Sequence, residues 1–294
     1  MTTPVSDSPD QIRQRQERSW SRSAHGWAGR RATFEAGARV VSHRLADAVG
    51  LTLGLNLDLA DLACGAGEPT LTLARRLGPL GTLVGLDLAH GMIVEARRAA
   101  VQERVEDRVR FEIGDLEALP LADGSQDAAT CRWGLMFAVD PSLALREVVR
   151  ILKPGGRFAA SVWDHARHVP MIALARDAAQ ATLNAPAPTP DAPEPFRLAD
   201  RDALRARFLD AGFEPDSINV EEQMVTWEFL DAEEYCAFHL EVSAALADLY
   251  HQRPYEAQAA FRQVMSESAH QFADPHGIVR MPCRALIWQA RTLN

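Results

Sequence analysis

An α/β protein built on a doubly wound, mostly parallel sheet is the fold class that this 294-residue sequence predicts. Two observations carry the prediction. Short apolar runs alternate with amphipathic stretches over about 110 residues in the middle of the chain, which is the rhythm of βαβ units. Glycine-rich or acidic turns close those runs, and ligands in such sheets bind beyond the carboxyl ends of the strands, near the point where strand order reverses.

The elements follow in order. Residues 1 to about 19 are polar and read as a flexible start. From Trp20 to about Leu53, apolar residues including Trp27, Phe34, Val41 and Leu45 recur at helical spacing. Leu55–Ala63 reads as a strand and Pro69–Leu77 as a helix with proline in its first turn. Thr82–Leu88 (strand), Gly91–Arg104 (helix), Val109–Ile113 and Asp127–Trp133 (strands) and Pro141–Leu152 (helix) continue the alternation. Lys153-Pro-Gly-Gly156 reads as a turn into a fifth strand, Arg157–Trp163. Val169–Leu183 is helical and runs into APAPTPDAPEP (185–195), too rich in proline for a helix or central strand. Leu198–Ala211 is helical, and Asp231–Phe272 is mostly so, with a break at Pro254; Ser217–Phe229 and Pro282–Leu293 add two more strands. The expected organisation is one domain over 20–294, with its core at 54–164 and helical lid insertions at about 165–198 and 230–280.

Composition excludes several classes of function. With 47% hydrophobic and 24% charged residues the chain can bury a substantial core, and a net charge of −9 argues against a general nucleic-acid binder. Six arginines between Arg13 and Arg31 read as a solvated helix face. Cys64, Cys131, Cys236 and Cys283 show neither disulfide-framework nor metal-ligand spacing, so no metal is expected. The first 20 residues lack the apolar core of a signal peptide, and no run is long enough to span a membrane. A cytoplasmic enzyme acting on a small molecule, without nucleic-acid or membrane partners, is the expectation; monomer and homodimer stay equally open.

The stretch DLACGAGEPT (61–70) invites three readings. It lacks the Lys-Ser/Thr of a phosphate-binding P-loop. A dinucleotide loop would want a third glycine where Thr70 stands, and Glu68 would set negative charge beside the pyrophosphate. S-adenosylmethionine has no phosphate and carries cationic ammonium and sulfonium groups, so a glycine turn flanked by carboxylates suits it better. A purely structural strand-to-helix turn is the third reading. Asp87, 22 residues after Gly65, could bind a ribose diol in either nucleoside ligand.

Taken together, DLACGAG (61–67), VGLD (84–87), FEIGDLEALPLADGSQD (111–127) and RILKPGGR (150–157) resemble the class I S-adenosylmethionine-dependent methyltransferases, in the branch of the ubiquinone/menaquinone C-methyltransferases and many small-molecule methyltransferases. The resemblance is strong over Trp20–Trp163 and weaker beyond. It implies a Rossmann-like seven-stranded sheet with an N-terminal helical cap, S-adenosylmethionine as cofactor, and a small, apolar or aromatic acceptor whose methylated atom (C, O or N) stays open. By the same resemblance Asp61, Ala63, Cys64, Gly65 and Gly67 line the methionine end, and Asp87 accepts from the ribose hydroxyls. Leu88 and Met92 pack on adenine, Gly114, Asp115 and Leu116 meet its edge, and Arg132 lies near the methionine end. Ala63 departs from the glycine common there, which narrows the ligand's approach. Trp133 and Met136 would face the transferred methyl, with Trp163, His168, Tyr235 and His239 completing the acceptor's surroundings.

A base beside the acceptor would come first from His165, which follows a strand end, then from His25 in the segment Trp20–Trp27, with Asp164, His168, His239 and Tyr235 as further candidates. Two rivals remain: a protein of this fold that binds S-adenosylmethionine without methylating, and a nicotinamide-dependent oxidoreductase.

Overall fold

The structure is a computed structural model and describes residues 7–189 and 192–294. Residues 1–6 of the expected flexible start, and Pro190 and Asp191 of the proline-rich stretch, lie outside the described residues.

Seven strands form one sheet, β1 (Asp58–Leu62), β2 (Thr82–Asp87), β3 (Arg110–Ile113), β4 (Gln126–Arg132), β5 (Leu152–Trp163), β6 (Asn219–Phe229) and β7 (Val279–Arg291), in the order β3-β2-β1-β4-β5-β7-β6. β1 to β5 run parallel, and β7 is antiparallel to both β5 and β6. Strand order reverses between β1 and β4, so the crevice of this sheet opens beyond Leu62 and Arg132. β1, β2 and β4 are buried on both faces, which is why they show no alternation of apolar and polar residues.

Helices α1 (Pro9–Gly29) and α2 (Arg31–Ala48) precede the sheet; α3 (Thr70–Arg76), α4 (His90–Gln102) and α5 (Pro141–Ile151) make the crossovers. α6 (Pro170–Leu183) and α7 (Arg201–Ala211) follow β5, and α8 (Ala232–Val242), α9 (Ala244–His251) and α10 (Tyr255–His270) lie between β6 and β7. No helix among the described residues is long and apolar enough to cross a membrane.

Two sequence expectations are corrected. In place of the expected flexible start to about residue 19, helix begins at Pro9, because Ser8 and Gln11 form a reciprocal capping box: Gln11 N–H donates to Ser8 Oγ and Ser8 N–H to Gln11 Oε1, with Pro9 at the first helical position. Lys153-Pro-Gly-Gly156 is no turn before the fifth strand but a bulge within it. Leu152 pairs with Gln126 and Arg157 with Ala128, and Gly155, at φ +69, absorbs the extra residues between them.

The arginine-rich N-terminal helix is tied down by ion pairs. Arg22 meets Asp248 through both guanidinium nitrogens at 2.6 Å, and Arg30 meets Glu241 and Glu234. The four cysteines are buried and free.

Candidate functional site

The glycine loop between β1 and α3 is shaped by three left-handed residues, Ala63 (φ +54), Gly65 (φ +54) and Gly67 (φ +113). Glycine adopts this backbone without strain and alanine does not, which is a reason for glycine at position 63 in related loops. A Cβ at Gly65 would stand in open space, whereas at Gly67 it would meet the Cα of Ala96 in α4 at 3.4 Å. The two glycines therefore differ: one keeps the crevice clear, the other permits packing.

Beyond this loop lies a cavity of about 560 Å³, within the range of roughly 300–1,000 Å³ taken by small-molecule and cofactor sites. Of the residues expected to bind cofactor, Ala63, Gly65, Asp87, Leu88 and Met92 line it, as do Gly114, Asp115, Leu116 and Arg132. Of those expected around the acceptor, Trp133, Met136, Trp163 and His239 line it.

The rest sit elsewhere. Asp61 lies fully buried behind the wall, where its carboxylate accepts from the hydroxyls of Thr70 and Thr130 (2.8 Å to the latter) and braces β1 against α3 and β4. Cys64 is sealed in the core and Gly67 packs on α4, so neither reaches the cavity. Tyr235 is fully buried and donates to the Met171 carbonyl at 2.9 Å, joining α8 to α6. The two histidines expected first as bases both miss the cavity. His25 is exposed on α1. His165 and His168 face a separate polar depression, because Asp164 accepts from His165 N–H at 2.7 Å and meets His168 Nδ1 at 2.9 Å, turning the chain away after β5.

Carboxylates crowd one end of the cavity. Asp87 ties the crevice together, accepting from Gly65 N–H and Ala89 N–H, each at 2.9 Å, and burial pushes it up to about 6. Burial likewise pushes Asp61 up to about 7 and raises Glu68, which Glu35 raises further. Against these stands Arg132, whose side chain is 6% exposed. It lies at this end as expected and is held there by the protein. Its nitrogens donate to Glu35 (2.6 and 3.0 Å), Ser42 Oγ (2.9 Å) and the Glu68 carbonyl (3.0 Å). It clamps the glycine loop to α2.

The other end is aromatic and apolar. Trp133 sits at φ +53, an outlier for so bulky a residue, fixed by hydrogen bonds from its N–H to the carbonyl and hydroxyl of Ser161. Its ring stacks on Trp163 with centroids 4.3 Å apart. Of the aromatic residues between Trp227 and Phe272, Phe238 lines the cavity, Trp227, Phe229, Tyr235, Tyr250 and Phe261 are core, and Tyr255 is 79% exposed.

The expected N-terminal helical cap forms a roof whose side chains the sequence did not single out as site residues. Trp20, Trp27 and Phe34 cover the cavity from α1 and α2, and the Trp27 indole donates to the Val242 carbonyl at 2.9 Å. Arg13, nearer the start of α1, pairs with Asp115 at 2.9 Å and Glu117 at 2.5 Å. Glu117 is itself nearly buried and also accepts from Val139 and Asp140 N–H. Replacing Arg13 by alanine removes this latch, and we expect S-adenosylhomocysteine to dissociate about tenfold faster, the scale of a charge-assisted hydrogen bond. Stopped-flow displacement measures this; an unchanged rate would mean that α1 does not guard the exit.

Residues 60–160 match the family model described as a methyltransferase domain. A demethylmenaquinone methyltransferase of Lactococcus lactis is 35% identical over 122 residues, 42% of this chain and 46% of the relative. The chain thus spans less than half the length of that curated relative. Among solved structures, the YcgJ protein of Bacillus subtilis superposes with a TM-score of 0.56 at 18% identity, over 87% of this chain and 99% of its own. The [4+2]-cyclase SpnF does so with a TM-score of 0.55 at 19% identity, over 94% and 97%. The family match bears out the resemblance drawn from the four motifs, and the structural likeness bears out the fold.

Proposed function

We propose that the chain is an S-adenosylmethionine-dependent methyltransferase acting on a small, largely apolar metabolite. The observation that carries this is the carboxylate-rich lining of the cavity's glycine-loop end: Asp87, Glu68 and Glu35 line it, and the arginines beside it already have acidic partners, Arg132 on Glu35, Arg75 on Glu68 and Glu103, and Arg31 on Glu103. A pyrophosphate would be repelled there; an ammonium and a sulfonium would be favoured. Asp87 would hold the ribose hydroxyls, Leu88 and Met92 the adenine face, and Gly65 the space for the methionine end. The bound cofactor supplies a methyl group on a positively charged sulfur. Trp133, Trp163 and Met136 would orient the acceptor and keep water out, and α6, α8 and α9 would serve as the lid. Alignment of acceptor and methyl in such a dry site is itself a large part of the acceleration.

The test is calorimetry with S-adenosylhomocysteine and NAD, followed by incubation with methyl-labelled S-adenosylmethionine and a panel of apolar metabolites. Binding of NAD alone would overturn the reading. The likeness to SpnF, a protein named for cyclisation, makes a non-methylating outcome a real alternative, and recovery of intact cofactor beside an altered acceptor would establish it.

Cofactor affinity should also depend on pH. Asp87, at about 6 in the free protein, is charged at pH 8 and mostly protonated at pH 5. If the ligand requires the carboxylate, affinity falls by about tenfold between those two values as the charged fraction drops. Isothermal titration across this range reads the effect, and a flat profile would show that Asp87 does not contact the ligand.

A further inference from the structure

We infer that the acceptor is an apolar molecule bearing a hydroxyl group, and that His239 Nε2 accepts that hydroxyl's hydrogen bond and takes its proton as the oxygen is methylated. The inference rests on the methyl-transfer reading above and adds the acceptor's chemical class and a catalytic residue.

Past the stacked tryptophans, the cavity is walled by Met171, Ile172, Ala175, Phe238 and Leu246. To this wall α8 adds His239, which is 7% exposed and whose Nε2 is buried without a hydrogen-bond partner among the described residues. Buried polar atoms are almost always paired in folded proteins, so an orphan on a cavity wall marks a place where a ligand completes the pairing.

The state of the ring is defined by its surroundings. The Met171 carbonyl, which also accepts from Tyr235, acts as a backbone hydrogen-bond partner for the His239 ring. We assign the single proton of the neutral ring to Nδ1, which leaves Nε2 its lone pair. Burial pushes the imidazole down to about 4, so it is neutral near pH 7 and Nε2 offers a lone pair. Trp133, a second residue lining this cavity, likewise carries a buried indole N–H without a hydrogen-bond partner among the described residues. A lone pair and an N–H are two things a hydroxyl can satisfy at once, and we seat the hydroxyl between these two side chains. An ether or hydrocarbon gives Nε2 nothing. An alkyl ammonium has no lone pair to offer the Trp133 N–H.

The acceptor oxygen attacks the methyl carbon, forming the O–CH3 bond as the S–CH3 bond of S-adenosylmethionine breaks and its electron pair stays on sulfur. The O–H proton passes to Nε2. Transfer to so weak a base becomes favourable only as the oxygen gains its methyl group and turns strongly acidic, so the two events are coupled. The imidazolium then loses its proton to water when the product leaves.

The test uses the full chain saturated with S-adenosylhomocysteine, with 2-naphthol and 2-methoxynaphthalene as probes and quenching of the cavity tryptophans as the readout. The wild type should bind the naphthol at least about tenfold more tightly than its ether, and His239→Leu should abolish the difference. With labelled S-adenosylmethionine, naphthol should yield its labelled methyl ether, on the order of 100-fold more slowly in His239→Leu. His239→Gln, which keeps an acceptor but no base, should retain binding discrimination and lose the rate. Equal binding of the two probes, binding of neither, discrimination surviving in His239→Leu, or methylation at carbon each overturns the inference. Failure of S-adenosylhomocysteine to bind at all defeats the underlying reading instead, so the two failures are distinguishable.

Discussion

Replacing Arg132 with leucine should destabilise the chain by about 3 kcal/mol, the lower part of the range for breaking a buried ion pair. The guanidinium is 6% exposed and serves Glu35, Ser42 and the Glu68 carbonyl together, so its removal strands three acceptors. The lower figure applies because Glu35 keeps 20% exposure and can draw on water. Urea unfolding of the free protein measures the loss. A second substitution, Glu35→Gln, should recover part of it by removing the stranded charge. A loss below about 1 kcal/mol, as for an exposed pair, would mean that the clamp between α2 and the glycine loop is open in solution.

The second large effect is expected at Asp87. Alanine there should weaken S-adenosylhomocysteine binding by about 1–3 kcal/mol, through lost charge-assisted hydrogen bonds. Asp87 also accepts from Gly65 and Ala89 N–H, so the alanine variant should lose some thermal stability too. Asp87→Asn separates the roles: its amide oxygen can still accept from one backbone N–H, while the charge is gone. If Asp87→Asn binds as tightly as the wild type, the loop tether matters and the charge does not.

Much of this was legible in the sequence, for physical reasons. β1, β2 and β4 are buried on both faces and show no alternation, and strand ends in such a sheet converge, so Asp87, Asp115 and Trp133 could be named before any coordinates. Helix faces were harder. Trp20, Trp27 and Phe34 recur every seventh residue, which places Trp20 and Trp27 on one face of α1 and continues their line into α2. His25 lies five residues after Trp20, about 140° around the helix, and so on the far side. That arithmetic was available and argued against His25 as a base. Glu35 gave no such sign, since its partner Arg132 is 97 residues away and only tertiary packing joins them. His165 misled because the chain leaves β5 in a direction set by Asp164, Arg201 and Arg284, none of which a local pattern reveals. Tyr235 and His239 occupy adjacent turns of α8 with ring centroids 4.9 Å apart, and one faces α6 while the other faces the cavity.

His239 sets the interests of fold and site against each other. It buries a nitrogen that no described protein atom satisfies. Leucine there would relax the empty protein. A lineage or a laboratory screen rewarded for heat resistance alone would drift toward that change, and its survivors would be sturdier proteins with a blunted cavity. Retention of His239 in a thermostable descendant would therefore be a signature of selection for catalysis.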